Sequence, residues 1–318
     1  MKPAKSFMVS PNLPKKLERL VELAHNLRWT WDDETRNLFT RMDMDLWEEV
    51  DHDPVAMLNR IDQKTLEELA QDDSYVYSLD KVLVDFDLYL ESTPWFHKRE
   101  EYSENLCIGY FSMEFGITES MPIYSGGLGV LSGDHLKSSS EIGIPIVGIG
   151  LAYQMGYFSQ HFTVNGWQEE KYVFNDFYNL PMKLKTNDQG DKLVIGIELA
   201  DRKIYAQVWE AKIGRISLYL LDTNIDLNFD EDKKITFELY GGDQEMRIKQ
   251  EIVLGMGGVK LLNELGYPGA VVHMNEGHSA FAGLEKIKIL MSNSDLTFYE
   301  ALEIAKASAV FTTHTPVK

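Results

Sequence analysis

Two short apolar runs, Ile108–Ser112 and Pro145–Leu151, flank a stretch of helical character at about Gly133–Ile142, and the glycine-rich turn Ser125-Gly126-Gly127-Leu128-Gly129 precedes that helix. Strand, turn, helix and strand in this order make a βαβ unit, whose crossover returns the chain to the same end of the sheet, so the two strands pair in parallel. The pattern recurs near the end. Gln244–Gly266 reads as a long helix with Ile252, Met256, Val259 and Leu262 on its apolar face, Ala270–Met274 as a buried strand, Ser279–Leu290 and Phe298–Ala307 as helices, and Ala309–Thr313 as a last strand. Between the two regions, Tyr157–Val164, an Asn165-Gly166 turn and runs near Leu193–Leu199, Ile204–Ala211 and Ile216–Leu221 predict an antiparallel β insertion. The expected fold class is therefore α/β with a parallel sheet joined by right-handed crossovers.

Residues 1–100 have a different texture and predict a helical region in front of a domain at 101–318. Leu17, Leu20, Val21, Ala24 and Leu27 recur at steps of three and four, as one stripe of a helix opened by Pro14. Further helices are expected at Lys64–Ala70 and Tyr75–Leu90, and Pro94 ends the pattern. Trp29, Trp31, Phe39 and Trp47 are able to stack on sugar rings, but closing a helical core accounts for them.

The chain of 318 residues carries a net charge of -19, which argues against nucleic acid and anionic membrane as partners, because both are bound through an excess of lysine and arginine. A phosphate bound here would need backbone N–H groups or basic residues from another domain or subunit. Cys107 is the one cysteine and sits within Leu106–Phe111, so no internal disulfide forms and a small buried hydrophobe in a reducing cytoplasm is expected. Met1-Lys2-Pro3-Ala4-Lys5 is not followed by the apolar stretch of a signal peptide. No run of about 18 apolar residues suggests a membrane span.

Ligands of open parallel sheets sit beyond the carboxyl ends of the strands. Those positions hold Met113-Glu114-Phe115-Gly116, then Asn275-Glu276-Gly277-His278, then Thr312-Thr313-His314, and their polar groups are expected to converge on one edge. Gly126, Gly127 and Gly129 let backbone N–H groups approach a ligand at the positive end of a helix, or else only permit tight packing. The turn is no dinucleotide fingerprint, since Ser132 stands where a third glycine belongs, and no P-loop, since it lacks Gly-Lys-Ser/Thr. His273, Glu276 and His278 match no recognised metal-ligand spacing, so no metal is predicted. His278 and His314 suit hydrogen bonding to hydroxyls, with a capping or core role as the alternative.

Phe111–Gly116, Ser125–Gly129, Gly156-Tyr157-Phe158-Ser159-Gln160 with Gly166–Glu170, Arg247–Glu251, Asn275–Ser279 and Thr313-His314-Thr315-Pro316 occur in this order. Together they resemble the α-glucan (glycogen, starch or maltodextrin) phosphorylase family over about residues 12–318, in its shorter bacterial and archaeal form. The resemblance implies a GT-B glycosyltransferase fold of which this chain is the N-terminal Rossmann-like domain, with a C-terminal domain missing. It implies cytoplasmic reversible phosphorolysis of α-1,4-glucan to glucose 1-phosphate, with α-glucan, phosphate and glucose 1-phosphate as partners and compatibility with a homo-oligomer. Pyridoxal 5'-phosphate is the implied cofactor, held as a Schiff base by a lysine of the missing domain and not covalently by this chain. On matching positions, Gly126, Gly127 and Leu128 would contact sugar and phosphate, Gly126 and Gly127 lying near the cofactor phosphate. His314, His278 and Glu276 would line the cleft, and Arg247 and Asp243 are weaker carry-overs. Gly116 stands where the long animal and plant enzymes have a bulky residue, and the short Phe115–Ser125 stretch departs from them, so their regulation is not implied.

Two other readings compete. A nucleotide-sugar glucosyltransferase of the glycogen or starch synthase type shares the Gly-Gly-Leu-Gly turn, but Tyr124-Ser125 and Val130 replace its flanking lysine and aspartate. A non-catalytic carbohydrate-binding fragment is the other, and the chain alone is expected to show no turnover.

Overall fold

In the computed structural model, which describes residues 11–200 and 202–314, the first apolar stripe does not form the single helix that its spacing predicts. A 3-10 turn at Lys15–Leu17, α1 at Leu20–His25 and a second 3-10 turn at Leu27–Thr30 take its place. Asn26 causes the break: its backbone is extended at φ -104° and ψ 109°, and its side chain accepts a bond from the Arg28 N–H at 3.0 Å, starting a new turn. The stripe itself survives, with Leu17, Leu20, Ala24 and Leu27 fully buried and Val21 exposed.

Five helices follow: α2 (Asp33–Met42), α3 (Met44–Glu49), α4 (Pro54–Arg60), α5 (Gln63–Leu69) and α6 (Asp73–Glu91). Asp32, Asp43, Asp53, Asp62 and Asp72 cap them in turn, each side chain accepting a backbone N–H of the first turn, so part of the acidic excess serves helix starts. Trp29, Phe39 and Trp47 are buried, with Trp47 edge-on to Trp29 at 6.0 Å and stacked on Phe39 at 6.2 Å, so these aromatics close a core. These helices form one compact unit through Ser92, together with Thr118–Ser120 and Phe177–Pro181.

The second unit is built on a mixed sheet. Its strands are β1 (Ile108–Phe111), β2 (Ile146–Leu151), β5 (Lys183–Leu184), β6 (Val194–Leu199), β7 (Arg202–Ile213), β8 (Ile216–Asp222), β9 (Val271–Asn275) and β10 (Ala309–Thr312), while β3 (Ser159–Phe162) and β4 (Gln168–Lys171) form a separate exposed hairpin. The order is β10-β9-β1-β2-β8-β7-β5 with β6 also on β7, and the pairs from β10 to β8 are parallel while those of β7 are antiparallel. From β1 the chain moves through β2 to β8, then crosses to the other side of β1 for β9 and β10. The order thus reverses between β1 and β9, where an open sheet leaves a crevice.

Helices α7 (Gly127–Ile142), α8 (Gln244–Ile252), α9 (Gly258–Glu264), α10 (Phe281–Asn293) and α11 (Phe298–Ala307) complete this unit. The long helix expected over Gln244–Gly266 is interrupted by a π turn at Val253–Gly257, where three glycines, Gly255, Gly257 and Gly258, weaken helical preference. α7 starts at Gly127, not at Gly133 as its sequence suggests, because the glycine turn is itself the first helical turn. A Cβ on Gly133 would lie 2.0 Å from the Gly116 carbonyl oxygen, and one on Gly129 would lie 2.5 Å from Tyr124 Cβ, so close packing excludes a side chain at both. Cys107 is buried and its thiol is pushed up to about 11 by desolvation. Among the described residues no helix is long and apolar enough to cross a membrane. Met1–Lys5, Thr315 and Pro316 lie outside the described residues.

Candidate functional site at the strand crossover

β1 ends at Phe111, and the buried turn behind it delivers Glu114, 3% exposed, to the start of α7. One Glu114 oxygen accepts the Ser125 N–H at 2.6 Å, the Ser125 hydroxyl at 3.0 Å and the Gly126 N–H at 3.3 Å, and the other accepts the Tyr240 hydroxyl. The first intrahelical bond of α7 runs from the Val130 N–H to the Gly126 carbonyl, so the amides of Gly127, Leu128 and Gly129 have no acceptor within the helix. Gly126 and Gly127 are exposed, and a Cβ built on either meets nothing within 4 Å. The glycines of the turn therefore divide: Gly129 is required by packing, whereas Gly126 and Gly127 border open space. The anion cradle expected of the whole turn is narrower, because Glu114 takes its first two amides.

β9 supplies the facing wall. Asn275 is fully buried, and its amide donates to Ser132 Oγ at 3.0 Å and Ser112 Oγ at 3.3 Å, tying β9 to α7 and β1. The Asn275 oxygen is 2.7 Å from His314 Nε2, which places the proton on that nitrogen and leaves His314 Nδ1 as an acceptor. Glu276 has a left-handed φ of 63°, unusual for a residue with a side chain, and is held by its N–H to the Thr312 carbonyl at 2.9 Å and by its carboxylate, which accepts the His314 N–H. A short 3-10 turn, Gly277–Ser279, then presents His278.

The third wall comes from the segment before α8. Tyr240 also has a positive φ of 59°, and its ring lies 5.5 Å from the Arg247 guanidinium and 6.1 Å from the His278 ring. Arg247 donates to His278 Nε2 at 3.0 Å, so the His278 proton sits on Nδ1, a buried atom with no hydrogen-bond partner among the described residues. Burial and then Arg247 hold the His278 imidazolium below its usual range, so the ring stays neutral at neutral pH. Burial, then the bond to Glu114, pushes the Tyr240 phenol up, and it remains a donor. Arg247 also pairs with Glu251 at 3.4 Å.

Of the residues expected from sequence, the structure brings Gly126, Gly127, Leu128, Glu276, His278, His314 and Arg247 to the carboxyl ends of β1, β9 and β10. Asp243 is exposed and accepts the Met246 N–H at 3.0 Å as the N-cap of α8, which gives it a structural task. His273 belongs to a different group, with Nε2 at 2.8 Å from Thr312 Oγ1 and its ring edge-on to Tyr110 at 5.0 Å. Glu114, Asn275 and Tyr240 were not singled out from sequence. Glu114 lies three residues past the end of β1 and Asn275 is the last residue of β9, a signal that position alone provided, whereas Tyr240 meets Glu114 across 126 residues and left no local trace.

A family model described as a protein of unknown function, DUF3417, matches residues 13–121. The chain is 43% identical to the glycogen phosphorylase of Mycobacterium tuberculosis over all of its own length and 38% of that protein's. It is 41% identical to the maltodextrin phosphorylase of Thermococcus litoralis, with 97% of this chain and 37% of that one covered. The glycogen phosphorylase of Aquifex aeolicus is 36% identical over 96% of this chain and 43% of its own. The chain thus spans about two fifths of the length of these relatives.

Proposed function

Because this chain belongs by sequence to the family of the glycogen and maltodextrin phosphorylases, we propose that it forms one wall of the active-site cleft in an enzyme that phosphorolyses α-1,4-glucans. In this reading residues 101–318 are the N-terminal Rossmann-like domain of a GT-B fold, with residues 1–100 as a helical region in front and an antiparallel insertion of β3 to β7, shorter than the sequence predicts because Ile216–Leu221 lies in β8, which pairs in parallel with β2. The observation that carries the reading is the reversal of strand order between β1 and β9, at which exposed Gly126 and Gly127 start a helix that Glu114, Tyr240 and Arg247 link to His278.

The reaction transfers the anomeric carbon of the terminal glucose from the O4 of the chain to a phosphate oxygen, and the departing O4 takes up a proton. Positioning and electrostatics carry such a step. The Gly127 and Leu128 amides would donate to sugar or phosphate oxygens, His314 Nδ1 would accept a glucose hydroxyl, and His278 would line the cleft beside Arg247. Buried Asn275 fixes the His314 tautomer, and Arg247 fixes that of His278. The open amide of Gly127 and the absent side chains at Gly126 and Gly127 fit a phosphate-bearing group such as pyridoxal 5'-phosphate. That cofactor, when bound, supplies a phosphate for proton transfer to the substrate phosphate, and its Schiff-base lysine is assigned to sequence beyond the part of the relatives matched here.

Full-length protein mixed with maltodextrin and inorganic phosphate is expected to release glucose 1-phosphate. Turnover only with a nucleotide-sugar would replace this reading with a synthase. Residues 1–318 by themselves are expected to be inactive and free of Schiff-base absorbance.

A further inference from the structure

Glu114 already occupies the position that an anion takes at the start of a helix. Its carboxylate accepts both the Ser125 and Gly126 amides and the Ser125 hydroxyl, and it lies so close to the first turn that a Cβ on Gly129 would be 3.0 Å from it. The amides of Gly127 and Leu128 are left without an acceptor in the helix, beside a built-in negative charge. Helix-terminal amides of this kind ordinarily favour any nearby anion, but a like charge within a few ångström opposes a second one. The other carboxylate oxygen accepts the Tyr240 hydroxyl, and Tyr240 packs against Arg247, which sets the His278 tautomer.

We propose that Glu114 is a positioning residue that holds the glycine turn open toward the crevice while making it prefer the neutral hydroxyls of a sugar to a free phosphate anion. This rests on the phosphorolysis reading for the identity of the two ligands. A phosphate then settles at the turn only when a cationic group joins it, so the turn does not trap phosphate before glucan arrives. Glu114 orders two walls at once, the turn directly and His278 through Tyr240 and Arg247.

The test uses the full-length protein with Glu114→Gln, which keeps an acceptor for the turn amides and removes the charge, its amide nitrogen then donating to the Tyr240 oxygen. Binding of inorganic phosphate in the absence of glucan, measured by calorimetry at fixed ionic strength, is expected to tighten about tenfold. The kcat of phosphorolysis is expected to fall at least about tenfold, with KM for maltodextrin changing less. Tyr240→Phe leaves the turn bonds intact, so it is expected to keep the wild-type phosphate affinity while shifting the His278 ring-nitrogen resonances. Unchanged or weaker phosphate binding in Glu114→Gln overturns the proposal, and so does an equal tightening in Tyr240→Phe, which would trace the effect to loosening. Should Glu114→Gln not fold, the wild type decides: phosphate binding without glucan that is tighter than about millimolar overturns the proposal, and weaker binding supports it. Tighter phosphate binding by the variant in a protein without phosphorolytic activity would leave this inference standing and remove the functional reading.

Discussion

Gly126 and Gly133 lie on the same short stretch yet answer to different demands. A Cβ at 133 would meet the Gly116 carbonyl oxygen at 2.0 Å, a backbone atom that cannot swing aside, whereas one at 126 meets nothing within 4 Å. Gly133→Ala is therefore expected to destabilise the protein by about 1–3 kcal/mol despite alanine's better helix propensity. Gly126→Ala is expected to leave stability within about 0.5 kcal/mol and to weaken maltodextrin binding. Urea denaturation of both variants, with glucan binding measured on the same samples, checks the pair. A destabilised Gly126→Ala with normal binding would mean that the open face of the turn has no ligand. In sequence the two residues look alike, because what separates them is a neighbour that the fold brings in from Gly116.

At the scale of elements, the strands and most helices were legible because their apolar spacing survives folding, as at α11, where the expected Phe298–Ala307 is the observed helix. Starts were less legible. α7 hides its first turn in glycines, and Asn26 breaks the first stripe with a side-chain bond that periodicity does not register. Helix caps also carry a cost that a sequence does not reveal. Asp53 caps α4 by accepting the Val55 and Ala56 N–H groups, but its burial outweighs those bonds and raises its carboxyl to about 6. A folded value above the ordinary carboxylate range favours the protonated form, so the stability linked to this group is full below about pH 4 and is lost as pH rises through 6. Asp53→Asn keeps the acceptor and removes the charge. Its unfolding free energy is expected to exceed the wild type's by on the order of 2 kcal/mol at pH 8 and to match it at pH 4. Urea titrations at the two pH values read the difference, and an equal gain at both would assign it to something other than ionisation.

Across the whole molecule, the net charge of -19 sets a field that opposes compactness and repels free anions. Screening should relieve the self-repulsion, so raising sodium chloride from about 10 to 200 mM is expected to raise the melting temperature by roughly 2–4 °C. A flat or falling melting temperature would show that local pairs, such as Arg202 with buried Asp232 at 2.8 Å, outweigh the global term. The sequence by itself determined the α/β class, the helical character of the stretch between residues 15 and 91, the motif order that resembles the phosphorylases, and the strand ends from which ligand groups would project. Each is written in local spacing or in residues that follow one another along the chain. Only the tertiary structure decided that Glu114 fills the first amides of the glycine turn, that Tyr240 closes on it, and that Asn275 and Arg247 set the tautomers of His314 and His278. Those contacts join positions 11 to 126 residues apart, and their partners are chosen by how the sheet reverses between β1 and β9, a choice that no local pattern records.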